Sequence, residues 1–533
     1  MQDLNFPGGK VPLTSQMKFI SEASHKRLPC YRVLNDDGSL ISNTIHEQVG
    51  EDVAVNMYSA MVTLKTMDTF LYEAQRQGRI SFYMTSFGEE AVNIASAAAL
   101  SPQDFVLPQY REAGVLLWRG FTVQECTNQC FGNKDDKGKG RQMPVHYGSN
   151  KHNVITISSP LATQISQAAG VAYSLKMDKR GACAVAFTGD GGTSEGDFHA
   201  GLNFAAVMEA PVIFICRNNG WAISTPVHEQ FRSDGVVAKG LGYGIRSIRV
   251  DGNDVIAVYS AIGAARNMAI NEGRPILVEA MTYRVGHHST SDDSTKYRSM
   301  NEIEYWKTAR DPISIFKKYI ERYGWWSEDK ESELARNVKK QVLEAIKTAE
   351  GMEKPALTEM FTDVYDQMPP NLYEQERSIR DSMKKYPKDY PIDLHVHEQT
   401  ISKEDARRML YENEIKSLME FLPKNSKLER CNDKLIKEMD SRTNPLQEMK
   451  GDTRSMGSTP LGSMLQGSHL QIQNLVVLGV QIHEWRIAWK EAIFGDILQE
   501  RNGRHRIWMI AWTSREYGRP FQYFGALDHF WAQ

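Results

Sequence analysis

The sequence predicts an α/β fold: a parallel sheet flanked by helices on both faces, with helical additions toward the C-terminus. Three observations lead there. Residues 182–187 (ACAVAF), 211–216 (PVIFIC) and 275–284 (PILVEAMTYR) are short, near-continuous apolar runs. Strands of that kind are covered on both sides, as in parallel sheets. Residues 161–177, just before the first run, and 195–210, between the first two, carry small and apolar side chains at helical spacing, so strand and helix alternate as βαβ units require. The first two runs also end in polar turns, Thr188-Gly189-Asp190-Gly191 and Arg217-Asn218-Asn219. The 26 residues between Gly191 and Asn218 are the length of one crossover.

The remaining elements follow in chain order. Residues 1–50, rich in Pro, Gly and Asn, read as an N-terminal arm. Val53, Met57, Met61, Leu64, Met67 and Leu71 recur at three- and four-residue steps, so 51–77 is a long amphipathic helix closed by Gly78. Residues 88–100 (GEEAVNIASAAAL) form a second helix whose small residues suit tight packing. Residues 104–114 (DFVLPQYREAG) are a strand ending in a polar turn, and 153–158 (NVITIS) another strand. Residues 301–385 are helical and polar. One domain therefore spans 51–395.

Residues 396–533 form a C-terminal extension without an assigned role. Ser402 and Asp405 resemble a capping box opening a helix over 401–422. Residues 442–470 have a flexible-linker composition, and 471–533 holds five of the ten tryptophans. This extension is expected to be partly disordered.

Composition excludes several classes. A formal net charge of −3 leaves no global basic field to hold nucleic acid or an anionic membrane. No run of about 18 apolar residues predicts a membrane-spanning helix. The six cysteines are scattered. Cys126 and Cys130 share one helix face, but no second pair or nearby histidine completes a zinc set. Few, dispersed thiols fit a reducing compartment. The first residues show neither transit-peptide nor apolar signal character.

The chemistry sits at the two turns. Ligands of parallel sheets bind at the carboxyl ends of strands. Glycines there let the backbone turn sharply and approach a ligand closely. A lone GDG is more often an ordinary strand–helix junction. The asparagine pair one crossover away, also after an apolar strand, reverses that reading: Asp190 and Asn219 meet on neighbouring strand ends. A carboxylate with a carboxamide suits Mg²⁺, which takes its other ligands from phosphates and water. Arg217 beside them suits a phosphate oxygen. No GxGxxG opens a helix after a strand, which argues against a dinucleotide site.

With QYREAG (109–114), GKGRQMPVHYG (138–148), ISSPLATQ (157–164), GDGGTSEGDFHAGLNFAA (189–206), RNNGWAIST (217–225), SIRVDGNDV (247–255) and TYRVGHHSTSDDSTKYRS (282–299), the chain resembles the alpha subunits of branched-chain 2-oxo acid dehydrogenases over about residues 5–395. GDG followed by NN at this spacing is their thiamine diphosphate signature. The resemblance implies the diphosphate-binding half of a thiamine diphosphate-binding fold. It implies oxidative decarboxylation of branched-chain 2-oxo acids, with the acyl group passed to a lipoyl arm. Asp190, Asn219 and the main-chain oxygen of Trp221 would hold Mg²⁺. Tyr110, Arg111, Ser159, Leu161, Gly191, Gly192, Arg217 and His288 would line the thiamine diphosphate site or its channel. Ser158, Pro160, Thr163 and Gln164 would hold K⁺.

Residues 286–299 (GHHSTSDDSTKYRS) have no apolar period and read from composition as an exposed loop. The resemblance makes the loop functional. His288 would be the catalytic group, donating a proton or stabilising charge near the acyl group. Ser289 and Ser299 would be regulatory phosphorylation sites, serving a kinase and a phosphatase. The glutamate that activates the cofactor would come from a beta subunit, because residues 396–533 show no second strand–helix alternation. The expected assembly is an α2β2 heterotetramer docked on a lipoyl-bearing acyltransferase core in the mitochondrial matrix. A pyruvate-type 2-oxo acid dehydrogenase alpha subunit and a non-catalytic degenerate copy are the alternatives.

Overall fold

The structure is a computed structural model. It describes residues 48–390 without interruption, together with residues 3–6, 9–12, 27–42, 44, 46 and 395. The chain divides into two units, Met1–Leu418 and Met419–Gln533, and every described residue lies in the first. The helix expected over 401–422, the linker and the tryptophan-rich stretch lie outside the described residues.

The strands are β1 (Asp3–Phe6), β2 (Gly9–Pro12), β3 (Cys30–Tyr31), β4 (Phe105–Leu107), β5 (Ala184–Gly189), β6 (Val212–Asn218), β7 (Trp221–Ala222), β8 (Thr225–Pro226), β9 (Arg246–Asp251) and β10 (Ile276–Met281). The helices before β5 are α1 (Glu51–Arg76), α2 (Glu90–Ala98), α3 (Ala113–Trp118), α4 (Val123–Phe131) and α5 (Thr163–Met177). Then come α6 (Gly196–Val207), α7 (Val227–Gln230), α8 (Val237–Leu241) and α9 (Val255–Glu272). The chain continues through α10 (Met300–Thr308), α11 (Pro312–Arg322), α12 (Glu328–Glu350) and α13 (Pro370–Lys385).

Six strands form one parallel sheet in the order β3-β9-β10-β6-β5-β4. Side chains alternate between its faces. Ala184 and Ala186 of β5 and Val212, Phe214 and Cys216 of β6 pack with α5 and α6 in one core. Val185, Phe187, Ile213 and Ile215 face the other core, with α1, α2, α4, α9 and α12. Topology explains this division. The β4→β5→β6 steps run one way across the sheet and β9→β10 runs back, so right-handed crossovers place α5 and α6 opposite α9. The expected α/β architecture, with a sheet covered on both faces, is what the chain forms.

The structure corrects two element readings. Residues 153–158 are not a strand. Only Val154 bridges, to Val106 and Ser149, because the Ile157 nitrogen turns back to the Tyr147 carbonyl (2.9 Å). Part of the presumed arm also belongs to the fold: β3 is the outermost strand, and Val33 and Leu34 are fully buried. β9 escaped the sequence reading because RSIRVD alternates charge with apolar residues. The long helix and its glycine stop stand as expected, with Gly78 at φ +76° just past Arg76. Among the described residues no helix is long and apolar enough to cross a membrane.

The crossover helix α6 lies tight against α5. A Cβ at Gly201 would come within 2.8 Å of Ile165 Cγ2 and 2.9 Å of the Ser166 nitrogen. Gly201→Ala should therefore cost about 1–3 kcal/mol of stability despite alanine's better helix propensity. A thermal melt reads this as a lower midpoint; an unchanged midpoint would show that the two helices part without cost.

Candidate active site

β5 and β6 are parallel neighbours with Gly189 opposite Arg217, so both polar turns emerge at the same edge of the sheet. Asp190 is 1 % exposed and accepts a hydrogen bond from Gln230 Nε2 (2.7 Å). Burial pushes its carboxyl pKa up, and the Gln230 bond offsets this only in part. Asp190 is in none of the described ion pairs. Asn219 is also buried. Its Nδ2 donates to Glu89 Oε1 (3.0 Å) and its Oδ1 accepts from the Trp221 nitrogen (3.3 Å). One lone pair of the Trp221 carbonyl is taken by Arg284 Nη1 (3.1 Å). A Cβ on Gly191 would meet Ala222 Cβ at 2.7 Å, and one on Gly192 would overlap Thr188 Oγ1. A side chain at either position would force these neighbours to move.

Arg217 sits deeper than a simple phosphate contact requires. It is 1 % exposed, and its guanidinium pairs with Glu112 through Nε and with Glu89 through Nη1 (2.5 Å). Burial opposes its charge, but Glu112 and Glu89 outweigh burial and hold the arginine firmly protonated. Two of its N–H groups are therefore turned toward protein carboxylates, and Nη2 reaches the Gln109 amide oxygen (3.4 Å).

Arg111 and His288 meet above this layer. Arg111 Nη1 donates to the Thr85 carbonyl (2.6 Å), and Nη2 reaches both the His288 carbonyl and its Nδ1 (3.3 Å). Arg284 Nη1 lies 3.4 Å from the same ring nitrogen. Two guanidinium donors at Nδ1 make that atom the acceptor, which assigns the neutral ring with its proton on Nε2. Burial, then Arg111 and Arg284, push the His288 pKa down to about 3. Tyr110 stands edge-on to the imidazole, with ring centres 6.3 Å apart.

The 286–299 segment is not a solvated loop. Thr290, Ser294 and Arg298 are buried. Arg298 donates to the carbonyls of Arg284 and Gly286 and to Ser294 Oγ. Asp292 Oδ2 accepts from the His288 nitrogen (2.8 Å) and the Tyr297 hydroxyl (2.6 Å). The exposed-loop reading failed because these bonds join polar groups to one another, which leaves no apolar period. Ser289 is half-buried beside His288, while Ser299 is exposed at the start of α10.

The segment before α5 lies beside the GDGG turn. A Cβ on Gly192 would be 4.0 Å from Ala162 Cβ. Ser159 and Leu161 are exposed, and Ser159 Oγ is 2.9 Å from His146 Nε2. Gln164 Nε2 donates to the Phe187 carbonyl (2.7 Å), which turns its side-chain oxygen the other way. Ser158, Pro160 and Thr163 lie on the same short stretch.

The residues fit a cation and an anionic diphosphate. Asp190 is a buried carboxylate outside any described ion pair, and Arg111 and Arg284 are buried guanidiniums that likewise join none. Burial, then Arg111, pushes the Arg284 pKa down to about 10, so these two cations repel each other. An anion between them would relieve that repulsion. Among the described residues no three of His, Cys, Asp and Glu converge on a point. A site with a single carboxylate must draw on carboxamide, main-chain and phosphate oxygens.

Sequence reasoning missed Glu89, Glu112, Gln109, Gln230 and Arg284. Glu89 and Glu90 open an otherwise apolar helix, where acidic residues are expected at the N-terminus. Nothing in that pattern marks one of them as a partner of Arg217.

Residues 58–358 match the family model described as dehydrogenase E1 component. A 2-oxoisovalerate dehydrogenase subunit alpha 1 of Arabidopsis thaliana is 68% identical over 395 residues, 74% of this chain and 84% of the relative. The Homo sapiens 2-oxoisovalerate dehydrogenase subunit alpha is 49% identical over 388 residues, 73% of this chain and 87% of the relative. The Caenorhabditis elegans protein of that name is 51% identical over 384 residues, 72% and 89% of the two chains. With more than half its length under that model, and with the GDGG and NN turns at one edge of the sheet, the chain belongs to the dehydrogenase E1 component family.

Proposed function

We propose that the chain is the alpha subunit of a thiamine diphosphate-dependent 2-oxoisovalerate dehydrogenase, which decarboxylates branched-chain 2-oxo acids and passes the acyl group to a lipoyl arm. The observation that carries this reading is the pair Asp190 and Asn219 on adjacent strand ends, beside the guanidiniums of Arg111 and Arg284. The naming of the relatives supports the substrate class. The family cofactor, thiamine diphosphate, supplies a nucleophilic carbon and an electron sink.

The protein's part is to bind, orient and hold protons. Asp190, Asn219 and the Trp221 carbonyl would hold Mg²⁺, and Gly191 and Gly192 let the diphosphate approach the backbone. Arg111 and Arg284 give the anion its cationic wall. Ser158, Pro160, Thr163 and Gln164 would hold K⁺, steadying the segment beside Gly192. His288, neutral with its proton on Nε2, is suited to hydrogen-bond developing charge on the reacting acyl oxygen, not to act as an imidazolium acid. The activating glutamate would come from a beta subunit. A lipoyl-bearing core, a matrix location, and a kinase and phosphatase acting at Ser289 and Ser299 complete the reading.

Co-expression with the beta subunit should yield decarboxylation of 3-methyl-2-oxobutanoate at least about tenfold better than of pyruvate in kcat/KM. The chain alone should show negligible turnover. Full activity without the beta subunit, or a preference for pyruvate, overturns the assignment.

The ring of His288, followed by NMR in the free chain and identified by loss in His288→Gln, should not titrate between pH 5 and 8. The folded pKa lies below the ordinary value of 6.5, so the group contributes nothing to stability above that pH. Below it the unfolded chain takes up a proton that the folded chain refuses, and stability falls toward pH 3. A midpoint near 6.5 would refute the neutral assignment.

A phosphate on Ser289 would place negative charge next to Asp292, the residue that bridges His288 to Tyr297. Ser289→Glu should therefore lower turnover several-fold. Wild-type turnover in that variant would remove Ser289 from the regulatory scheme.

A further inference from the structure

We infer that Glu89 is the positioning residue of the metal–diphosphate site: its buried carboxylate locks the Asn219 carboxamide and the Arg217 guanidinium into one unit. Three features of the structure support this. Glu89 is fully buried, with Oε1 accepting from Asn219 Nδ2 (3.0 Å) and Oε2 paired to Arg217 Nη1 (2.5 Å). A carboxylate is an acceptor only. The amide can therefore meet it solely with the nitrogen, and the Asn219 oxygen is directed away from Glu89. A cation needs that oxygen; an amide turned the other way would present N–H groups to it.

The carboxylate is itself held in place. Gly88 takes φ +89°, and a Cβ there would fall within 2.3 Å of the Tyr283 carbonyl, so Gly88 can press against the β10 exit only as glycine. The Glu89 nitrogen donates to the Ser86 carbonyl (2.9 Å), and the Glu89 carbonyl accepts from Asn93 Nδ2 (3.0 Å). The neighbouring amide is set by the same device: Asn218 Nδ2 donates to Glu279, which is fully buried (2.8 Å). Each asparagine of the NN pair is thus oriented by its own buried glutamate. The one that orients the metal ligand also neutralises Arg217.

This inference rests on Asp190 and Asn219 being the Mg²⁺ ligands, and the experiment separates the two claims. In the assembled α/β enzyme, tryptophan fluorescence measures the Mg²⁺ concentration that half-saturates thiamine diphosphate binding. Glu89→Gln should raise it about 10- to 100-fold, the usual effect of losing a group that orients a ligand. Turnover at saturating Mg²⁺ should fall by a smaller factor. Glu112→Gln, which loses the same arginine but touches no asparagine, should raise the Mg²⁺ requirement by a clearly smaller factor. Should Glu89→Gln fail to assemble, Glu89→Asp, which keeps the charge opposite Arg217, carries the same readout. An unchanged Mg²⁺ requirement at Glu89, or equal shifts at Glu89 and Glu112, overturns the positioning role. Wild-type binding that ignores Mg²⁺ would instead overturn the metal-site reading itself.

Discussion

One guanidinium holds the site together. Arg217 lies at the end of β6 with Glu89 and Glu112 against it, all three buried to within 1 %. Buried ion pairs often fail to repay their desolvation, so such a group is a poor stabiliser compared with apolar side chains of equal volume. Its value here is in what it joins. Glu112 also accepts from the nitrogens of Gln109 (2.8 Å) and Arg111 (3.2 Å), and Gln109 Oε1 accepts from the Gly189 nitrogen (2.7 Å). Through these few bonds the QYREAG turn, the GDGG turn and the NN pair are fixed to one another. Removing one carboxylate would leave an uncompensated buried charge and loosen three loops together.

The charges nearer the opening follow a different rule. Glu89, Glu112 and Asp190 are matched in number by Arg217, Arg111 and Arg284, yet the pairing is uneven. Arg217 takes two carboxylates, while Arg111 and Arg284 are left with carbonyls, the Tyr297 hydroxyl and a neutral imidazole. In a low-dielectric site an unevenness of that kind is costly unless a ligand resolves it. A metal at Asp190 and an anion between the two arginines would restore local neutrality. Burial first, and then these two guanidiniums, keep the His288 ring uncharged, so it adds no third cation to the imbalance.

The layers of the fold and the frame of the site were legible in the sequence, and its second layer was not. Continuous apolar strands at 182–187, 211–216 and 275–284 announce a sheet buried on both faces, and the spacing of GDG to NN announces adjacent strand ends. These are local, periodic signals. Glu89, Gln230 and Arg284 reach the site from 128, 40 and 63 residues away from their partners Arg217, Asp190 and Trp221. Partnerships at that separation leave no pattern in one sequence. The 286–299 loop misled for a related reason: its order rests on polar bonds, and polar residues look alike whether they are solvated or paired.

That loop is also coupled to the Trp221 end of the site by an unbroken chain of contacts. Ser289 adjoins His288, whose nitrogen donates to Asp292. Asp292 accepts from the Tyr297 hydroxyl, which in turn accepts from Arg284 Nη2 (3.0 Å). Arg284 Nη1 then reaches the Trp221 carbonyl. Burial works to raise the Asp292 pKa, but the Tyr297 hydroxyl and the His288 N–H hold it below the usual range, so Asp292 is a fixed negative charge at the centre of the chain. New negative charge at Ser289 would repel that carboxylate and release Tyr297 and Arg284 in succession. On that reading the Trp221 carbonyl would depend on loop order, and a modification several bonds away would alter cofactor retention without touching Asp190 or Asn219.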